Sequence, residues 1–417
     1  MPRESKHYPI IAFLLCLLAY AASQMDLALF GYTLPLVRKE FGFSIEATGR
    51  ILSVSFLIGS LLIVWLGSLT DRLGRKTMFQ FALVASGLII ALHAWAQSVA
   101  MLTFLRGLSI ATGGLLYPVT GAIVAEEAPA RYRGLYAGFL QTGYPFGWFV
   151  APFLAAPLQR QWGWRGVFSL GLLSLLLVPV VRFWLREPQR FAAQQQELAQ
   201  RRPFERLGEL FTPAMRRRTI TLWFGQFLFV IAYGGSAFLL PTYLHEARGF
   251  EVIQAGYLSG VANGIGIFGY MIAAFVGEFV LTRRNTIIIW AWLGTLAFLA
   301  LLWLASSWAT LLAAYALMTM FFYGTAAVKF AFISEHFPTR LRATGLAFSG
   351  SFAVTLGSAL GPLLVAYAVR RLGWNWAFSC FAVVPLFLSG LVFLALKPLP
   401  SGLEVEAISE EQLIKVS

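Results

Sequence analysis

The chain has 417 residues, of which 58% are hydrophobic and only 12% charged. That charged share is about half that of an ordinary soluble domain, and a soluble fold of this length could not hide so much apolar surface from water. A cytosolic enzyme with a normal surface is excluded, and so is a disordered chain, which needs low hydrophobicity and high charge.

What remains is a protein of many membrane spans. Twelve helices of about 20 residues would need about 240 apolar positions, and 58% of 417 is about 242. Apolar runs cover roughly 10–37, 47–69, 77–97, 100–124, 134–157 and 166–186. After a polar segment they resume at 219–243, 253–277, 285–305, 309–333, 343–368 and 375–397. Each is long enough to cross about 30 Å of hydrocarbon as a helix. Continuous apolar runs, rather than short alternating segments, exclude a β-barrel. The first run exceeds a signal-peptide core of about 7–15 residues and is expected to be a span. The expected fold is all-α: two six-helix bundles, at 1–186 and 219–400, a linker at 187–218 and a tail at 401–417.

The two cysteines, Cys16 and Cys380, lie inside apolar runs and provide neither a disulfide framework nor a metal cluster. The net charge of +13 would suggest nucleic acid in a soluble protein. Here it reads as the orientation signal of a membrane protein. With both termini inside, the inward segments hold twenty-two Lys and Arg and the outward ones eight, with Arg106 and Lys329 inside spans. That asymmetry favours cytoplasmic termini. The linker is rich in Arg, Gln and Glu and reads as a solvated connection or a short surface helix.

The two halves echo one another. Glu126-x-x-Pro129-x-Arg131-x-Arg133 returns 209 residues later as Glu335-x-x-Pro338-x-Arg340-x-Arg342. Gly147, Pro152 and Gly163-Trp164 return after 210 as Gly357, Pro362 and Gly373-Trp374, and Leu34-Pro35 returns after 206 as Leu240-Pro241. One near-constant offset implies a duplicated bundle, with a site expected near the middle of the bilayer where the copies meet.

After the second run comes Gly67-Ser68-Leu69-Thr70-Asp71-Arg72-Leu73-Gly74-Arg75-Lys76. It resembles the signature loop of the major facilitator superfamily, and the resemblance extends over almost the whole chain. Asp71 can cap a helix end and pair with arginines, while Gly74 allows a tight turn. Gly277-Glu278 with Arg283-Arg284 is a worn second copy. Gly67, Asp71, Arg72, Gly74, Arg75, Glu126, Arg131, Arg133, Glu278, Glu335, Arg340 and Arg342 are therefore the expected conformational gate. At a finer level the chain is similar to the aromatic-acid and organic-acid proton symporters. Met25-Asp26 matches the end of their D-G-x-D motif, with Ser23 and Gln24 in place of its first Asp and Gly. Arg106 with Gly114 and Pro118, the stretch from Glu126 to Gly134, and Trp162-Gly163-Trp164-Arg165 match other segments. The resemblance implies a bacterial inner-membrane carrier whose partners are a small organic anion and protons.

Asp26 is the one acid well inside a predicted span. An Asp there costs about 2.5–3.5 kcal/mol on insertion scales. Proton binding offsets that, because desolvation favours a neutral carboxyl and a nearby cation favours an ionised one; a structural ion pair is the alternative. Arg106 can hold a carboxylate in two-point fashion, pair with Asp26, or bond backbone carbonyls. The repeat-related positions are the uncharged Ala232 and Tyr315, so neither charge belongs to the shared scaffold. Lys329, near the inner end of its span, can bind substrate or snorkel to the interface. Gln141, Tyr144, Tyr233 and Asn263 can orient a ligand or bond between helices.

Gly264-Ile265-Gly266-Ile267-Phe268-Gly269 lies inside an apolar span with no strand before it, so close helix packing is preferred to a nucleotide loop. The four histidines have no ligand spacing, and no catalytic or phosphate-binding motif is present. No cofactor, no metal and no nucleic-acid partner is expected, and the carrier is taken as a monomer. The expected function is proton-coupled import of a carboxylate. A drug or metabolite efflux antiporter, a sugar or polyol carrier, and a membrane enzyme or receptor are the competing readings.

Overall fold

The computed structural model describes residues 8–129, 133–187, 207–338 and 341–398. Among these, every regular element is helical. Apolar runs can cross lipid only if each backbone N–H and C=O is bonded within the segment, and the helix does this locally. In chain order the first elements are α1 (Tyr8–Phe41), α2 (Ile45–Leu73), α3 (Arg75–Leu92), α4 (Val99–Glu127), α5 (Arg133–Gln141), α6 (Gly143–Val167) and α7 (Leu173–Trp184). Then follow α8 (Arg216–Ala237), α9 (Leu240–Glu246), α10 (Val252–Phe279), α11 (Arg283–Leu299), α12 (Trp308–Glu335), α13 (Arg342–Leu346), α14 (Ala353–Phe378) and α15 (Val384–Leu394). Short 3-10 or π turns join several of them.

Ten stretches are long and apolar enough to cross a membrane. The two longest, Tyr136–Trp184 and Thr344–Leu394, have 49 and 51 residues. At about 1.5 Å per residue each is roughly two and a half times the thickness of the hydrocarbon core. Each also breaks once, at Gly163 (φ 65°) and at Gly373 (φ 74°). Read as two crossings apiece, they bring the total to the expected twelve. The outward surface is apolar, as lipid contact requires: Phe183, Leu304 and Phe279 are 80%, 79% and 75% exposed.

The duplication is visible in the geometry. Gly163 and Gly373, 210 residues apart, are both left-handed hinges, a conformation open mainly to glycine. Gly147 and Gly357 are both contact points. A Cβ on Gly147 would lie 2.4 Å from the Ala21 carbonyl of α1, and one on Gly357 would lie 3.1 Å from the Ile231 backbone nitrogen of α8. Close packing also accounts for the glycines of α10, where a Cβ on Gly269 would meet the Met320 carbonyl of α12 at 2.0 Å.

The chain forms two compact units. The first comprises Met1–Ser44, Val54–Arg201 and Pro241–Gly260; the second comprises Ile45–Ser53, Arg202–Leu240 and Val261–Ser417. The first has a core of Ala12, Cys16, Phe79, Leu83, Leu115 and Ile123, among others, from α1, α3 and α4. The second is built around Leu222, Ile287, Val328, Phe332, Phe337 and Phe393.

Candidate functional site

Asp26 stands near the midpoint of α1 and is 4% exposed. Neither carboxylate oxygen has a hydrogen-bond donor among the described residues. Among those residues the other buried acid is Glu46, in the first turn of α2, so Asp26 alone lies deep in a helix. The two residues that replace the symporter motif turn away from it. Ser23 Oγ donates to the Tyr20 carbonyl at 2.8 Å, and Gln24 Nε2 donates to Ser23 Oγ at 3.4 Å.

The charged group acting on Asp26 is Arg106 of α4. Arg106 is fully buried. Its Nη2 donates to the Leu27 carbonyl at 3.0 Å, and its guanidinium lies 4.5 Å from the centroid of the Phe30 ring. Both contacts come from α1, one residue and one turn beyond Asp26. Arg106 thus bonds the backbone of α1 and acts on Asp26 only through its field, Asp26 accepting no hydrogen bond from it. Tyr144 also acts electrostatically on Arg106. Its ring stacks on Trp148 at 6.2 Å, and the Trp148 carbonyl accepts from Tyr32 Oη at 2.9 Å. Gln141, one turn before Tyr144, donates instead to Tyr117 Oη at 2.9 Å.

The second unit holds the other polar candidates. Tyr323 Oη donates to Asn263 Oδ1, and the Tyr323 ring lies 6.4 Å from Tyr233 and 5.6 Å from Tyr270. Tyr233 also contacts Phe322 at 6.0 Å. Lys329 does not snorkel. It is 3% exposed, and its Nζ sits 2.9 Å over the Phe229 ring with no hydrogen-bond acceptor among the described residues. Six residues before the end of α12, its stem folds over the ring instead of following the helix outward. A buried ammonium costs several kcal/mol, and a desolvated cation–π contact returns about 2 kcal/mol.

The motif residues divide. Helix α2 runs on through Asp71 to Leu73, so the expected loop is mostly helical and turns only at Gly74 (φ 96°). Arg75 pairs with Glu126. In the second half Arg283 pairs with Glu335, and with Glu278 at 2.6 Å. Equivalent ion pairs therefore recur in the two repeats, Arg75–Glu126 and Arg283–Glu335. Gly67 has open space around its Cα, and Arg342 is half-buried. The side chains of Asp71, Arg72 and Arg133, and all of Arg131 and Arg340, lie outside the described residues.

Sequence reasoning missed Glu187. Its two carboxylate oxygens accept from the backbone N–H groups of Arg75 and Lys76 at 2.6 and 2.9 Å, capping α3, where the helix dipole favours an anion. No local pattern flags a cap supplied from 111 residues away. The aromatic partners Phe30, Tyr32, Trp148, Phe229, Phe322 and Tyr323 were also missed, because rings are abundant in this chain and only packing singles these out.

A helical chain of many spans, built from a repeated half and holding charge at mid-helix, defines a membrane carrier rather than an enzyme. The chain belongs to the major facilitator superfamily, which it matches over residues 16–280 and 267–415. It is 29% identical over 381 residues to a cis,cis-muconate transport protein of Acinetobacter baylyi, covering 88% of this chain and 89% of the relative. It is 27% identical over 423 residues to a gallate transporter of Pseudomonas putida, covering 93% and 92%. A 4-hydroxybenzoate transporter of Acinetobacter baylyi is 25% identical over 414 residues, covering 89% and 87%. Among solved structures, a D-xylose-proton symporter superposes with a TM-score of 0.74 at 18% identity, covering 94% of this chain and 98% of that one. A bacterial homologue of the human lysosomal transporter Spinster gives 0.72 at 15%, covering 99% and 98%. These last two share the fold.

Proposed function

We propose that the protein is a proton-coupled symporter that imports a small organic anion, an aromatic or unsaturated carboxylate, by alternating access. Asp26 carries this reading: a carboxyl at the middle of a span, with no hydrogen-bond donor on either oxygen among the described residues and the charge of Arg106 acting on it. Such a group must be neutralised part of the time, by a proton or by a cation. Arg106 attracts the entering carboxylate. Its field is then shared between substrate and Asp26, and Asp26 takes up a proton. Release of the substrate returns the full field to Asp26, and the proton leaves. Tyr144, Gln141, Tyr233 and Asn263 supply hydroxyl and amide groups for orientation, and Lys329 a second cation. The paired gate residues hold the inward ends of the helices until the substrate has bound. The acids named for the muconate, gallate and 4-hydroxybenzoate relatives support the substrate class. The excess of inward Lys and Arg supports cytoplasmic termini in a bacterial inner membrane, and a monomer is the proposed transport unit.

The test is uptake into proteoliposomes by the Asp26→Asn variant. Accumulation driven by a pH gradient should disappear while substrate counterflow persists. Unchanged accumulation removes the proton role from Asp26. An efflux carrier would instead move substrate against an imposed inward proton gradient.

A further inference from the structure

The Asp26–Arg106 centre leaves out a buried charge of the second unit. Lys329 is buried with its ammonium on the Phe229 ring and no acceptor among the described residues. A ring face offsets part of the desolvation of an ammonium and leaves its N–H donors without an oxygen. The neighbouring surface has a definite composition. On α8, Trp223, Gln226, Phe229 and Tyr233 recur at spacings of three, three and four, which places them on one helical face. On α12, Phe322 and Lys329 are seven residues apart and share a face. Phe322 joins the two faces, 5.5 Å from Phe229 and 6.0 Å from Tyr233. Two more buried polar atoms on the α8 stripe have no hydrogen-bond partner among the described residues: Gln226 Oε1, an acceptor, and Trp223 Nε1, a donor.

We propose that Lys329 and the Trp223–Gln226–Phe229–Tyr233 face of α8 form a substrate subsite for a planar hydroxylated aromatic carboxylate. Lys329 holds the carboxylate, the aromatic face stacks on the ring, and Gln226 accepts a hydrogen bond from a ring hydroxyl. The inference rests on the carboxylate-carrier reading and narrows it: a ligand-free ammonium here is complete only when an anion arrives. The wall favours a ring because stacking gains most from flat π-surfaces. The open Gln226 acceptor discriminates in favour of a hydroxyl, because an analogue without one leaves that atom unpaired.

The experiment measures binding of 4-hydroxybenzoate, benzoate and neutral 4-hydroxybenzamide to the full-length purified protein by calorimetry at pH 7. Wild type should prefer the acid to the amide. Lys329→Met should weaken 4-hydroxybenzoate about ten- to a hundredfold, the worth of a charged hydrogen bond, and leave the amide unchanged. Lys329→Arg should restore most of the preference. Gln226→Leu should lose affinity for 4-hydroxybenzoate but not for benzoate. The melting temperature of ligand-free Lys329→Met should equal or exceed that of wild type, because it loses a buried charge. A Lys329→Met protein that still prefers acid to amide overturns the subsite and leaves the carboxylate-carrier reading intact. One that melts far lower and binds neither compound makes Lys329 a structural residue and also overturns the subsite. Wild-type protein that binds no carboxylate overturns both readings.

Discussion

At Arg106 the guanidinium does two jobs at once: it anchors to the backbone and ring of α1, and it sets the field at Asp26. The two residues should therefore behave as one unit in stability measurements. Arg106→Met removes the cation and leaves a buried acid without its neighbour, a loss of about 3–5 kcal/mol for a buried pair. Asp26→Asn alone should cost less, because an amide needs no counter-charge. The double variant Asp26→Asn/Arg106→Met should recover much of what Arg106→Met loses, leaving about 1 kcal/mol for the Leu27 hydrogen bond. Melting temperatures of the four proteins in detergent check this. Additive losses would mean that the two charges ignore each other. Both residues were legible in the sequence, because a charge inside an apolar run is rare and costly. The depth of Lys329 was not, since the distance from a helix end does not say whether a long side chain follows the helix outward or folds over a neighbouring ring.

At the scale of elements, the repeat shows which glycines serve backbone shape and which serve contact. Gly163 breaks its helix at φ 65°, and a Cβ there would meet nothing within 4 Å. Gly163→Ala should therefore cost only the backbone penalty of that glycine-only conformation, about 1–3 kcal/mol. Gly147 has no unusual backbone angle, yet its Cβ would press on the Ala21 carbonyl at 2.4 Å and the Met25 nitrogen at 2.6 Å. Gly147→Ala should cost more, because α1 and α6 must move apart next to Asp26. The folded yield on size-exclusion chromatography should fall in the order wild type, Gly163→Ala, Gly147→Ala, and Gly357→Ala should follow Gly147→Ala. A reversed order would assign the repeat to backbone shape alone. The offset of 210 made these positions visible in the sequence, and the twelve apolar runs anticipated the crossings, because the bilayer imposes both length and composition. The signature segment is helical up to Leu73 rather than a loop. Its polar residues continue helix α2 as far as Leu73, since at a membrane interface a polar sequence no longer has to end a helix.

For the molecule as a whole, the distribution of buried charge bears on how transport responds to voltage. Asp26 is the one acid deep in a helix among the described residues, so the proposed cycle carries one titrating site. A monocarboxylate entering with the single proton of Asp26 moves no net charge. Arg106 and Lys329 stay with the protein, and their contribution is the same on the loaded and the returning legs. Each uncompensated charge crossing the membrane would couple to voltage by about 2.3 kcal/mol per 100 mV, or roughly a fiftyfold change in the accumulation ratio. An electroneutral cycle escapes this. Uptake of a monocarboxylate into proteoliposomes should therefore follow an imposed pH gradient, be abolished when that gradient is collapsed, and be unchanged by a potassium diffusion potential of either sign. A dicarboxylate carried by the same single proton leaves one net negative charge. Its uptake should be slowed by an inside-negative potential and accelerated by an inside-positive one. If the monocarboxylate instead accumulates further with the interior negative, more than one proton crosses with it. A second titrating group would then have to be found beyond Asp26, and the coupling could not rest on a single carboxyl in the middle of α1.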